Sequence, residues 1–188
     1  MKKLLLLVLL LSLGFTAQAV ELEGVRLEDN VHLGTSNLVL NGVGVRSKFI
    51  FDIYVAALYL GAKKSSADAV LADAGEKRLA LYLLRDISGE NLLYAFKRGF
   101  ENNHTYDELM VMKLAMHNFE MIFHKMGNLK EGDIILMDYQ RDVGTQVKLN
   151  GVLRGTSPGA EFNTALLKIW LGEKPAQEAL KLKLLGVQ

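Results

Sequence analysis

The segment KFIFDIYVAALYL, from Lys48 to Leu60, most narrows what this chain can become. It is almost wholly apolar and rich in β-branched and aromatic residues, and Gly61-Ala62-Lys63-Lys64 ends it. Such a run reads as a central strand buried on both faces. Arg46 lies just before it and Asp52 and Tyr54 lie inside it. If residues 46–54 form one uninterrupted strand, all three share a face, because side chains alternate along a strand.

The flanking sequence supplies partners for that strand. VRLED (Val25 to Asp29), NLVLNGVGV (Asn37 to Val45) and RLALYLL (Arg78 to Leu84) are β-rich and punctuated by turn residues. Later strands are expected at Asp133 to Tyr139, Thr145 to Leu149 and Val152 to Arg154, with Asn150-Gly151 as a hairpin turn. Ser66 caps a short helix from Ala67 to Ala74, and Ser88 caps another from Gly89 to about Glu101. Thr105 to Glu108 has the form of a capping box opening one long helix to about Met126. Ser157-Pro158 opens a helix to Leu171 with Gly172 at its C′ position, and Pro175 opens the last. Strands, helices, strands and helices follow in blocks. That order predicts an α+β fold, a largely antiparallel sheet with helices packed on one face.

Composition sets the setting. The chain has 188 residues, no cysteine, and a formal net charge of +1. Disulfides, zinc–thiolate centres and a cysteine nucleophile are excluded, and the near-zero charge argues against a general nucleic-acid binder. Lys2 and Lys3, the apolar run Leu4 to Leu13, and Ala17-Gln18-Ala19 have the anatomy of a secretory signal peptide. The run is about ten residues, against roughly 20 for a membrane span. Residues 1–19 are therefore expected to be removed after Ala19, leaving one domain over residues 20–188 with a formal charge of −1. A periplasmic or secreted protein that does not span the membrane follows from this reading.

Few residue clusters suggest chemistry. His117, Glu120 and His124 share a helix face, as a metal cluster or as a solvated polar stripe; the spacing is not that of a zincin. No G-x-S-x-G elbow occurs, and GTSPG (Gly155 to Gly159) reads as the start of a helix. NGVGV (Asn41 to Val45) runs into a strand, whereas a phosphate loop leads into a helix. No cofactor or metal is expected. Met110, Met112, Met116, Met121 and Met126 fall on the long helix, as core packing or as an adaptable wall for an apolar ligand. Arg46 and Asp52 are either an ion pair at a strand end, or Arg46 is a cationic anchor at the floor of an apolar cleft. A guanidinium there can hold a carboxylate in two-pronged fashion. Arg85 and Asp86 read as structural, tying a strand end to a helix start, and Trp170 reads as core.

These same residues carry a resemblance. GVGVRSKFIFDIYVAALYL (Gly42 to Leu60) resembles the signature of the chalcone isomerase superfamily, especially its bacterial, signal-peptide-bearing chalcone isomerase-like branch. LLRDISGENL (Leu83 to Leu92) and FNTALLKIWLGEKP (Phe162 to Pro175) are similar to two later blocks. The resemblance implies an open-faced β-sandwich, a curved antiparallel sheet with helices on one side and a ligand cleft between. It implies that Arg46 matches the arginine shared by isomerases, where it polarises a ketone, and by fatty-acid-binding members, where it contacts a carboxylate. The remaining enzyme positions fall at Tyr54, Leu92, Gly99 and Ile169, where the polar set of the isomerases is mostly missing. Such orienting and acid–base groups each supply orders of magnitude of rate.

Three functions are therefore in play. The first is a non-catalytic binding module for a small apolar acid, with Arg46, Tyr54, Asp52, Met112 and Met116 as its ligand-binding residues. The second is an envelope interaction protein whose cleft is filled. The third is an isomerase acting on a chalcone-like enone.

Overall fold

In the computed structural model, residues 20–187 are described, and the expected leader lies outside them. The chain opens with a small ribbon, β1 (Val20–Leu22) against β2 (Val25–Leu27). Then come β3 (Asn30–Leu33), β4 (Ser36–Lys48), β5 (Phe51–Leu60), helix α1 (Ala67–Leu71), β6 (Lys77–Leu83) and the short β7 (Ile87–Ser88). Helices α2 (Gly89–Asn103), α3 (Tyr106–Val111) and α4 (Lys113–Met126) follow. After them run β8 (Asn128–Leu129), β9 (Ile134–Gln140), β10 (Gly144–Leu149), β11 (Val152–Ser157), α5 (Ala160–Leu171) and α6 (Glu178–Leu184).

Seven strands form one antiparallel sheet in the order β11-β10-β9-β6-β5-β4-β3, curled into a half-barrel. The expected α+β architecture with helices on one face is what the chain adopts. β5 shows why. Tyr54, Ala56, Leu58 and Leu60 point to the helices, while Val55, Ala57 and Tyr59 point to a second cluster with Leu27, Leu33 and Leu38 on the opposite face. Both faces of this strand are dry, so both alternating sets must be apolar.

Local signals work as read at most boundaries. Ser66 and Ser88 accept from the amides of Ala69 and Asn91 at 3.3 and 3.1 Å. Thr105 and Glu108 form the reciprocal capping box. Asn150 and Gly151 both have positive φ (51° and 80°), as the tight hairpin demands.

Three expectations need correction. Lys48 to Leu60 is not one strand: β4 ends at Lys48, Phe49-Ile50 turn the chain, and β5 begins at Phe51. The long helix breaks at Met112 (φ −98°, ψ 13°), giving α3 and α4. Pro175 lies before the last helix, whose N-cap is Gln177.

Helix α6 rests directly on β4, and two glycines make room for it. A Cβ on Gly42 would lie 2.1 Å from the Lys183 carbonyl oxygen, and one on Gly44 would lie 2.8 Å from Lys183 Cβ. Beside them Asn41, buried at a bulge, donates to the Leu184 carbonyl at 2.7 Å and accepts from the Lys64 amide at 2.7 Å. Gly42→Ala is expected to push α6 off the sheet at a cost of about 1–3 kcal/mol. It should appear as a lower urea midpoint with an unchanged slope. Gly61→Ala, where a Cβ meets nothing within 4 Å, should change stability by less than about 0.5 kcal/mol.

Candidate functional site

The β4–β5 hairpin brings Arg46 and Tyr54 directly opposite one another. Cross-strand partners share a face, so both side chains lie on the helix side. They meet there because the chain reverses between them, not because they ride one strand. Asp52 falls outside this pair. A bulge at Arg46/Ser47 sets it opposite Ser47, whose hydroxyl donates to its carboxylate at 2.5 Å in an exposed position. Of the two readings the sequence left open, the Arg46–Asp52 ion pair does not form, and Asp52 is not a buried mid-strand carboxylate, because the turn carries it to the rim.

Tyr54 is buried, and its hydroxyl accepts from Trp170 Nε1 at 2.9 Å. Burial pushes its phenol up to about 12, against smaller lowering effects from the Trp170 hydrogen bond and the Arg46 charge. It is therefore neutral at physiological pH. Trp170 is core, as expected; it sits edge-on to Phe96 at 5.5 Å. Phe96, Phe100, Phe119, Phe123 and Phe162 fill the space between helices and sheet.

Arg46 is half-buried. Its Nη1 donates to the Ser47 carbonyl and, at 3.2 Å, to Gln177 Oε1. The Ser47 amide donates to the same Gln177 oxygen at 3.0 Å. Among the described residues no carboxylate lies within ion-pair distance of Arg46. Two donors, one cationic, thus converge on a single neutral amide oxygen. Gln177 had no sequence signal: it is 131 positions from Arg46 and arrives only because α6 packs on Gly42 and Gly44.

The other sequence candidates lie elsewhere. Met112 is buried at the α3–α4 break and lines a surface cavity of about 470 Å³ with His104, Glu108 and Lys168. Met116 packs against the phenylalanine core from its edge. Four surface cavities of about 380 to 630 Å³ are lined by neither Arg46 nor Tyr54. His117 and His124 are exposed, and Glu120 is taken by Lys97 at 2.9 Å, which makes their face a solvated one. Asp86 accepts from Lys130 Nζ at 2.7 Å and the Glu131 amide at 3.0 Å, so it ties down the loop before β9 rather than the start of α2. Arg85 stacks over Phe51, 4.4 Å from the ring centre.

Of the positions where the isomerase pattern would place polar groups, only Tyr54 keeps a hydroxyl; Leu92, Gly99 and Ile169 are apolar and packed. Leu92 is buried in the core, and a Cβ on Gly99 would lie 2.6 Å from Ile169 Cγ2. A half-barrel sheet backed by helices, a strand-end arginine and an aromatic interior define a chalcone isomerase-like architecture. The chain belongs to the chalcone isomerase-like family, whose model matches residues 19–186. Its fold is similar to the crystal structure of an Arabidopsis thaliana fatty-acid binding protein. The TM-score is 0.67 and the identity 14%, over 89% of this chain and 96% of that one. Comparison with curated proteins finds no match.

Tyr54→Phe leaves the Trp170 N–H buried without an acceptor and should cost about 1–3 kcal/mol. Because burial favours the neutral phenol, its contribution is complete below about pH 10 and is lost as pH rises toward about 12. Denaturant melts across that range should fall less steeply for Tyr54→Phe than for wild type.

Proposed function

We propose that this protein is an exported, non-catalytic member of its family that binds a small apolar acid, with Arg46 holding the carboxylate. The observation that carries this reading is the Gln177 amide oxygen. It stands where a carboxylate oxygen would accept from both the Arg46 guanidinium and the Ser47 amide. A charged acceptor gains roughly twice what a neutral one does from such donors. Beside Arg46, Tyr54 leads through Trp170 and Phe96 to Phe119 in the apolar core, against which Met116 packs. Met112 and Met116, unbranched and adaptable, are the wall residues best able to yield to a tail. The structurally similar Arabidopsis protein is a fatty-acid binding protein, which supports the ligand class. Leu92, Gly99 and Ile169 supply no proton-transfer group, which speaks against an isomerase.

A second reading is favoured by the packing itself. With the phenylalanines interlocked and none of the four cavities above reaching Arg46, the cleft on this reading is filled and the protein works by interaction alone.

The readings separate in one experiment. The purified protein is extracted for mass spectrometry, then titrated calorimetrically with C12 and C16 fatty acids. The ligand-binding reading expects a bound apolar acid, at least ten-fold weaker binding for Arg46→Ala, and equal or tighter binding for Gln177→Ala. A clean extract and no heat with either acid would establish the filled cleft instead. In the same preparation, a mass that begins at Val20 checks the expected export cleavage.

A further inference from the structure

The turn that divides the apolar run is unusual in itself. Phe49 and Ile50, its two central residues, are 91% and 89% exposed, the most exposed large apolar side chains among the described residues. Phe51, next to them, is half-exposed. Phe49 also adopts φ 56°, in the left-handed region. Two-residue hairpins place glycine or asparagine at such positions, and a bulky aromatic there is strained. Folding alone would choose a polar turn residue with free access to positive φ. Here the tip is both strained and apolar, and strain of this kind concentrates where a surface is used.

The charges around the tip are arranged to one purpose. Lys48 is exposed at the base of the turn, Arg85 lies over the Phe51 ring at 4.4 Å, and Arg46 stands one step further back. Among the described residues Asp52 is the one acid at the same base, exposed and still charged while accepting from the Ser47 hydroxyl, so the cations around the tip outnumber it. Asp86 is neutralised by Lys130 at 2.7 Å. A pair of projecting apolar side chains ringed by long cationic ones is the pattern of a segment that dips into a lipid interface. The rings enter the acyl boundary while lysine and arginine heads remain at the phosphates.

We infer that the Phe49-Ile50 tip docks this protein reversibly on an anionic lipid surface. Lys48 and Arg85 contact the headgroups, and Phe49 and Ile50 enter the acyl boundary. The inference stands independently of whether Arg46 binds an acid, since neither tip residue touches Gln177 or the aromatic core. Two side chains and two or three charges make a weak contact, strong on anionic vesicles and sensitive to salt.

The test is flotation of the purified protein with vesicles of phosphatidylethanolamine containing 30% phosphatidylglycerol, and with neutral phosphatidylcholine vesicles. All variants carry the same N-terminus. Wild type should float with the anionic vesicles and lose most of that binding in high salt. Phe49→Ser/Ile50→Ser should reduce the bound fraction at least ten-fold with an unchanged or higher melting temperature. Lys48→Gln/Arg85→Gln should abolish the preference for anionic lipid. Trp170 is fully buried, so Phe49→Trp adds a reporter whose emission should shift to the blue on anionic vesicles. Wild type that does not float, or a double serine variant that floats equally well, overturns the assignment. So does retention of wild type on a protein partner with none on vesicles.

Discussion

Everything near the candidate site depends on two missing side chains. Gly42 and Gly44 face α6 across a gap too small for a methyl group, so the helix backbone lies almost on the strand. Asn41 fixes the C-terminal end of that helix through the Leu184 carbonyl, and the opposite end then falls over the hairpin. Gln177 is delivered to Arg46 by this geometry. A bulkier residue at Gly42 would lift the helix and strip Arg46 of its neutral partner without touching either residue. The GVGVR segment is therefore one device: the glycines set the height of the roof, and the arginine is what the roof's edge covers.

The same logic of close approach explains the quiet chemistry of the interior. Gly99 meets Ile169 where α2 crosses α5, and five phenylalanines interlock around them. A polar group at Leu92, Gly99 or Ile169 would need a partner or a water to avoid a buried, unsatisfied dipole. The chain instead fills these positions with apolar volume. Near the candidate site the polar groups are a buried tyrosine hydroxyl bonded to Trp170 and a half-buried guanidinium at the end of β4. Leu92, Gly99 and Ile169 therefore stabilise by packing alone.

Much of this was legible in the residues and some was not, for definable reasons. β5 was visible because burial on both faces demands an unbroken apolar pattern, and the helix starts were visible because Ser88 and Thr105 act on neighbours three residues away. The turn at Phe49-Ile50 was hidden because it uses residues that belong to strands, so the run looks continuous across it. A strand read straight across the turn buries Asp52 mid-strand, whereas it stands at the rim. The break at Met112 has no glycine or proline to announce it. Arg46 is legible as a cation in an apolar context, with an ion pair to Asp52 and a role as ligand anchor both open. Its partner Gln177 is not, because their contact is set by the packing of a helix 131 residues away in sequence.

The two ends of the proposed ligand would be treated very differently by this structure. At the head, a carboxylate replacing the Gln177 oxygen exchanges neutral acceptance for charged acceptance, a gain of about 1–2 kcal/mol. That is enough to prefer an acid over an alcohol or amide, and too little to hold a ligand by itself. The tail must supply the rest through burial, at about 0.8 kcal/mol per methylene. Yet the space a tail would fill is already occupied by Trp170 and the phenylalanines, whose contacts would have to be given up first. Selectivity would thus reside at Arg46, while affinity would be decided by how readily α6 and the methionine-bearing wall open. The ease of that opening, more than the arginine, separates a carrier of apolar acids from a fold closed on its own core.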